Sequence, residues 1–124
     1  MDDALYREEL MDIYKNPSNK GHIDHPTHHA DGKNPMCGDE ITLQLKIADG
    51  KIEDAKFDGN ACSVSIISSE ILTEHIVGMP VDTAMKITKE DLLKMIGLNL
   101  TTSRVKCATL VLSALQGALE GLQE

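Results

Sequence analysis

The stretch from residue 41 to residue 57 constrains the fold of this chain more than any other. Apolar and polar residues alternate along its first half, which predicts a strand that is buried on one face. The apolar members of this alternation are Ile41, Leu43, Leu45 and Ile47. The dipeptide Asp49-Gly50 follows and is typical of two-residue hairpin turns, so residues 52–57 are predicted to return antiparallel.

Helical spacing of apolar residues begins on the N-terminal side of this hairpin and resumes after it. A first helix is predicted over residues 3–15, because apolar side chains recur there at helical spacing until Asn16-Pro17. A second helix is predicted directly after Cys62, with Ser63 or Ser65 as its cap and Gly78-Met79-Pro80 as its stop.

Two more helices are predicted in the C-terminal third. Thr88 precedes an acidic first turn, and Gly97 closes a short helix. Thr102 or Ser103 is the predicted cap of a long C-terminal helix with an apolar stripe, which would place Cys107 in or near its first turn.

The order of these elements predicts the fold class. Residues 16–36 carry prolines and glycines without a sustained period and are predicted to be irregular, with room for one short edge strand. Strands come early and helices late, which predicts an α+β fold: a small antiparallel sheet of about three strands, helices packed on one face and a long C-terminal helix. A single domain is expected over 1–124.

Charge and composition exclude several function classes. The formal net charge is −8, which opposes binding to nucleic acid or to an anionic membrane. The N-terminus is acidic where a signal peptide would be basic, so a cytoplasmic protein is expected. Three cysteines cannot all pair within one chain, and a reducing compartment would keep them as thiols.

The thiols supply the candidate chemistry. Cys37 and Asp39 flank a glycine just before the predicted hairpin, while Cys62 and Cys107 are both predicted near helix starts, where the thiolate is favoured. Three thiols and one carboxylate make a possible four-ligand set. Their spacing matches no local zinc-finger pattern, so buried free cysteines that pack as small apolar side chains remain the alternative.

Several segments of the chain form a specific combination of motifs. They include Tyr14-Lys15-Asn16-Pro17, Asn34-Pro35-Met36-Cys37-Gly38-Asp39, Ile52-Glu53-Asp54-Ala55-Lys56-Phe57 and Val105-Lys106-Cys107. Together these segments resemble the iron–sulfur cluster assembly scaffold family, the group of IscU, SufU and the NifU N-terminal domain, and the similarity extends over nearly the whole chain.

This resemblance implies a non-enzymatic scaffold. A cysteine desulfurase would deposit sulfur, with Cys107 as the persulfide acceptor, iron would be added, and a [2Fe-2S] cluster would be built and passed to recipient apo iron–sulfur proteins. Cys37, Cys62 and Cys107 would be ligands, and Asp39 would be the fourth ligand or the residue that governs release. Two subunits in a homodimer would bring two clusters close enough to fuse into [4Fe-4S].

The chain also departs from the IscU pattern. Lys106 stands where IscU proteins usually carry a histidine, and residues 100–104 lack the chaperone-binding motif Leu-Pro-Pro-Val-Lys. The segment around Cys107 is more similar to SufU, although the SufU insertion is missing. A zinc-dependent sulfurtransferase, with the same four side chains on zinc, is therefore the alternative function, and a structural-zinc or interaction domain is a third.

Four histidines lie close together in the irregular segment. They are His22, His25, His28 and His29. Such a cluster can bind zinc or nickel or supply an extra ligand, but surface histidines without a fixed role are the favoured interpretation. Lys106 is expected either to be solvated or to offset the negative charge of a cluster.

Overall fold

The computed structural model describes residues 3–34, 38–97, 100 and 102–120. Helices and strands follow one another in the predicted order, with one additional short helix, α3, and a C-terminal helix that is divided in two. In chain order the elements are α1 (Asp3–Lys15), β1 (His28–Asn34), β2 (Asp39–Ala48), β3 (Lys51–Asp58), α2 (Ser63–Ile76), α3 (Val81–Met85), α4 (Lys89–Ile96), α5 (Thr102–Ala108) and α6 (Leu110–Glu120).

The three strands of the described chain form an antiparallel sheet in the order β1-β2-β3. The β2–β3 hairpin closes at the pair Ala48 and Lys51. Its two turn residues, Asp49 and Gly50, have φ angles of 54° and 75°. Positive φ at both positions is the signature of a type I′ turn, whose twist matches that of the flanking strands. The predicted hairpin is therefore confirmed.

One face of the sheet is covered by helices. Ile41, Leu43 and Leu45 of β2 are at most 1% exposed, and α6 packs across β1 and β2 while α2 packs on β3. Gly32 makes this packing close, because a Cβ there would lie 2.9 Å from the backbone oxygen of Leu110. The α+β class with helices on one face is confirmed.

Residues 16–27 cross from one side of the sheet to the other. The N–H of Gly21 donates to the carbonyl of Phe57 in β3, and the N–H of Phe57 donates to the carbonyl of Asn19. These hydrogen bonds cover part of the free edge of β3. Further along, the N–H of Ile23 donates to the side chain of Gln44, and the N–H of Thr27 donates to the carbonyl of β2 residue Leu45. This segment is irregular, as predicted, and it leads into β1 as the edge strand.

Local sequence signals fix both ends of α4. Thr88 and Asp91 form the reciprocal hydrogen bonds of a capping box, and α4 ends at Gly97 with φ 73°. The predicted long C-terminal helix runs as α5 and α6, which meet at Thr109. The hydroxyl of Thr109 donates to the carbonyl of Val105 over 2.9 Å, a side-chain bond of the kind that bends helices.

The additional helix α3 spans one turn after Pro80 and was not predicted. It is too short to show an apolar period. Across the described residues, no helix has the length and apolarity that crossing a membrane requires.

Candidate functional site

Three of the four predicted ligand residues meet where β2 begins. Asp39 is the first residue of β2 and points to the same side as the buried Ile41, towards the helices. Cys62 is the N-cap of α2, and Cys107 is the second-last residue of α5. A carboxylate oxygen and the two sulfur atoms all lie within 4.8 Å of one another. Cys37, the fourth predicted ligand, lies outside the described residues.

This spacing suits a metal ion. Bonds from zinc to sulfur are about 2.3 Å long and bonds to carboxylate oxygen about 2.0–2.2 Å, so the three donor atoms need only small movements to share one ion. Thiolates also suit iron in clusters. The chemistry of this donor set therefore fits either iron–sulfur or zinc cargo.

Asp39 is held by hydrogen bonds to the start of α2. The N–H of Cys62 donates to Oδ1 over 3.1 Å, and the hydroxyl of Ser65 donates to Oδ2 over 3.0 Å. Burial raises the pKa of Asp39, but the hydrogen bonds from Cys62 and Ser65 outweigh this and hold its pKa below the usual value. The carboxyl is therefore ionised at neutral pH, where it also complements the positive end of the helix dipole.

This arrangement corrects the predicted cap of α2. Neither Ser63 nor Ser65 is the N-cap; that position is Cys62, whose side chain makes no capping bond. The carboxylate of Asp39, from another element, accepts a hydrogen bond from the N–H of Cys62, one of the donors at the helix start that have no partner within the helix. A partner 23 residues earlier in the chain could not be found from local sequence signals.

The position of Cys107 also differs from the prediction. It lies near the C-terminal end of α5, because this helix is only seven residues long, and not in a first turn. Two serine hydroxyls of α2 hold this end of α5: Ser65 donates to the carbonyl of Cys107 over 2.9 Å, and Ser68 donates to the carbonyl of Ala108. These bonds fix α5 against α2 and so bring Cys107 to Cys62.

Exposure differs within the group. Asp39 is 5% exposed and Cys107 is 4% exposed, whereas Cys62 is half-buried. In the described structure, solvent and small reagents therefore reach the group more easily through Cys62 than through Cys107.

The four histidines do not form a comparable site. In the described part of the chain, Asp39, Cys62 and Cys107 make up the group of three or more potential ligands, and no histidine belongs to it. His22 lies 3.1 Å from a carboxylate oxygen of Asp58, and Nδ1 of His28 lies 2.9 Å from the hydroxyl of Thr27. Lys106 is exposed beside Cys107.

Sequence reasoning missed the role of two buried residues of α2. Ser65 was predicted only as a cap, yet it contacts all three members of the group. Glu70 was not predicted to have a role, although it is a charged residue four positions after the buried Ile66 and so lies on the apolar face of the helix. A charged residue on the apolar face of a helix was the sequence signal that could have indicated a role for Glu70.

Comparison with known proteins shows the family of this chain. The family model for the NifU-like N-terminal domain matches residues 5–124. The zinc-dependent sulfurtransferase SufU of Bacillus subtilis is 37% identical, with 92% of this chain and 88% of that protein covered. The iron–sulfur cluster assembly scaffold protein IscU of Escherichia coli is 34% identical over 92% of this chain and 91% of its own length.

The fold is similar to that of solved structures of this family. A crystal structure assigned to an iron–sulfur cluster assembly scaffold protein for the SUF system of Fervidobacterium islandicum superposes with a TM-score of 0.78 at 27% identity, covering 96% of this chain and 99% of that one. Because the family model covers nearly all residues and the relatives align over most of their lengths, the chain belongs to the NifU-like N-terminal domain family, together with the SufU and IscU scaffold proteins.

Proposed function

We propose that this protein is a scaffold on which [2Fe-2S] clusters are assembled and from which they are transferred to apo iron–sulfur proteins. The observation that carries this proposal is the convergence of Asp39, Cys62 and Cys107 within 4.8 Å. Cys37 would complete the ligand set. One cluster per site then has three sulfur ligands and one carboxylate.

The mixed ligand set supports release as well as binding. Thiolates are soft ligands that hold iron well in clusters, whereas a carboxylate is a harder and weaker partner. When Asp39 leaves the metal, its two oxygens can accept hydrogen bonds from the N–H of Cys62 and the hydroxyl of Ser65. A cluster held in part by this side chain can be given up more easily than one held by four thiolates.

Sulfur is proposed to arrive from a cysteine desulfurase as persulfide. The Cys107 thiolate would attack the outer sulfur of the desulfurase persulfide, that S–S bond would break, and the desulfurase cysteine would leave as a thiolate. The sulfur must then be reduced to sulfide by ferrous iron and an external reductant. Because Cys107 is only 4% exposed, its side chain must become more accessible when the desulfurase binds.

Anaerobic reconstitution tests the scaffold function. We expect the protein incubated with ferrous iron, a thiol and sulfide to bind iron and acid-labile sulfide in equal amounts and to absorb visible light. Cys62→Ser should lose most of this absorption. A His22→Ala/His25→Ala variant is the control, because it removes two exposed metal-binding side chains outside the group and should reconstitute normally. Colourless protein after reconstitution would contradict the proposal.

A zinc-dependent sulfurtransferase is the second candidate. It is supported by the 37% identity to a relative with that name and by a donor set that suits zinc. In this case zinc would be bound by the same side chains, and persulfide would pass through Cys107 without cluster formation. Strong stimulation of a cysteine desulfurase by the zinc-loaded protein, lost on zinc removal, would favour this function over the scaffold.

Further parts of the proposal concern the assembly. We expect the protein to act in the cytoplasm, with a homodimer as the form that shields exposed clusters. Reductive fusion of two [2Fe-2S] clusters in such a dimer would give [4Fe-4S]. Analytical ultracentrifugation of the apo and reconstituted protein would test the homodimer, and Mössbauer spectra before and after reduction would test the fusion.

A further inference from the structure

We propose that Ser65 is a positioning residue that controls how readily Asp39 enters and leaves the metal site. This inference rests on the proposed function, since it requires Asp39, Cys62 and Cys107 to bind metal. Ser65 is 1% exposed and lies in the first turn of α2. Its hydroxyl contacts each member of the group.

Three distances define this position. The Ser65 oxygen lies 3.0 Å from Oδ2 of Asp39, 2.9 Å from the carbonyl oxygen of Cys107 and 3.7 Å from the sulfur of Cys62. The first two partners are acceptors, and the Cys62 thiol is a weak donor. The hydroxyl is thus placed between the carboxylate ligand and the backbone of a thiol ligand.

A hydroxyl has one proton, so Ser65 cannot fully satisfy both acceptors at once. When Asp39 is away from the metal, the hydroxyl donates to Oδ2. When Asp39 turns to the metal, the same hydroxyl donates to the carbonyl of Cys107 instead and keeps a partner. The Ser65 hydroxyl is therefore paired in both states, and its bond to Oδ2 in the metal-free state lowers the free-energy cost of releasing the carboxylate from the metal.

Removing the Ser65 hydroxyl should destabilise the metal-free state relative to the metal-bound state. In Ser65→Ala, Oδ2 of Asp39 loses its hydrogen bond in the metal-free state and remains buried, which is unfavourable. Metal binding would relieve this loss. We therefore expect the variant to bind metal more tightly and to release it more slowly, each by on the order of tenfold.

The chain offers a matched control in Ser68. Its hydroxyl is also fully buried on α2 and also donates to a backbone carbonyl at the end of α5, that of Ala108. It has no hydrogen bond to Asp39 in the described structure. Ser68→Ala thus removes the same kind of α2–α5 contact as Ser65→Ala. The difference between the two variants gives the effect of the Ser65 contact with the Asp39 carboxylate.

The experiment measures zinc alone, by competition with a chromophoric chelator, for the full-length reduced protein. We expect Ser65→Ala to lower the zinc dissociation constant and the zinc release rate on the order of tenfold, whereas Ser68→Ala should lower neither value and Ser65→Thr should stay close to wild type. In an Asp39→Ala background, Ser65→Ala should not tighten zinc binding relative to Ser68→Ala. Equal effects of the two alanine variants, or tighter binding by Ser65→Ala that persists without Asp39, would overturn the inference.

Failure of the proposed site gives a different result. If Cys62→Ser changes neither the zinc affinity nor the absorption gained on reconstitution, the group binds neither zinc nor a cluster, and both the proposed function and the role of Ser65 are wrong. If Cys62→Ser weakens zinc binding while Ser65→Ala has no effect, only the role of Ser65 is wrong. Amide exchange at Cys62 gives a second readout without metal: it should be faster in Ser65→Ala than in Ser68→Ala.

Discussion

The backbone N–H of Asn19 donates to Oε1 of Glu70 over 2.7 Å, which ties the segment after α1 to the middle of α2. A second bond from the side chain of Asn19 to the hydroxyl of Thr73 reinforces the contact. Glu70 is only 2% exposed, and among the described side chains its Oε2 has no hydrogen-bond partner. This buried carboxyl therefore stabilises a loop while remaining costly to ionise.

Glu70 should make stability fall as pH rises. Burial raises its pKa to about 7 from an ordinary 4.5, with the neighbouring Glu74 adding to the shift and the Asn19 N–H opposing it. The folded protein thus binds the proton more tightly than the unfolded chain. The stability contributed by the protonated form is complete below about pH 4.5 and is lost as pH rises towards 7.

Glu70→Gln removes this titration. Its free energy of unfolding, relative to wild type, should increase by on the order of 2 kcal/mol between pH 5 and pH 8, as measured by urea unfolding. Glu74→Gln is the companion variant, because it keeps the buried carboxyl and removes its acidic neighbour. In this variant the loss of unfolding free energy with rising pH should occur at lower pH than in the wild type. A Glu70→Gln difference that is independent of pH would contradict this explanation.

Gly59 should tolerate no side chain. Its φ is 137°, and a Cβ there would lie 2.1 Å from the carbonyl oxygen of Glu40. We expect Gly59→Ala to reduce the free energy of unfolding by about 3 kcal/mol or more, and to weaken zinc binding because Glu40 adjoins Asp39.

Gly78→Ala is the control for backbone strain. Gly78 also has a positive φ, 87°, but a Cβ added there would have no neighbouring atom within 4 Å. This substitution should cost only about 1–2 kcal/mol and leave zinc affinity unchanged. Equal destabilisation by the two alanine variants in thermal unfolding would show that the close contact with Glu40 is unimportant.

The β2–β3 hairpin and α4 could be predicted from local sequence patterns, because the interactions that specify them lie within a few residues. The alternation in β2 and the dipeptide Asp49-Gly50 specify a hairpin through backbone sterics and one-sided burial. Thr88 and Gly97 mark the ends of α4 because capping groups must lie within a few residues of the helix termini they satisfy.

The site was predicted less completely because its contacts are long-range. Asp39 caps α2 from a different element, and Ser65 reaches a carbonyl 42 residues away. Neither relationship has a period or a spacing that a single sequence displays. The family resemblance indicated which thiols converge, but the hydrogen bonds that hold the carboxylate required the fold.

The two described cysteines should differ in reactivity. In the reduced, metal-free protein, Cys62 is half-buried and Cys107 is 4% exposed. Iodoacetamide should therefore modify Cys62 faster than Cys107, on the order of tenfold, since the buried thiol reacts only after local opening. Peptide mass spectrometry over time would measure both rates. Urea should abolish the difference, zinc should protect both residues, and equal native rates would contradict the described burial.

Asp39→Ala tests the release role of the carboxylate most directly. Removing the hard ligand should slow transfer of a reconstituted [2Fe-2S] cluster to an apo ferredoxin several-fold and lengthen the lifetime of the loaded protein. The metal-free variant should lose about 1 kcal/mol of stability, because the Cys62 N–H loses its partner at the start of α2.

Asp31→Ala is the matched control for this variant. Asp31 is an exposed aspartate of β1 that accepts a hydrogen bond from Thr42 over 2.7 Å and lies outside the ligand group. It should transfer the cluster at the wild-type rate, as followed by circular dichroism in the visible range. Unchanged or faster transfer by Asp39→Ala, with Asp31→Ala normal, would exclude Asp39 as the residue that lets the cluster leave.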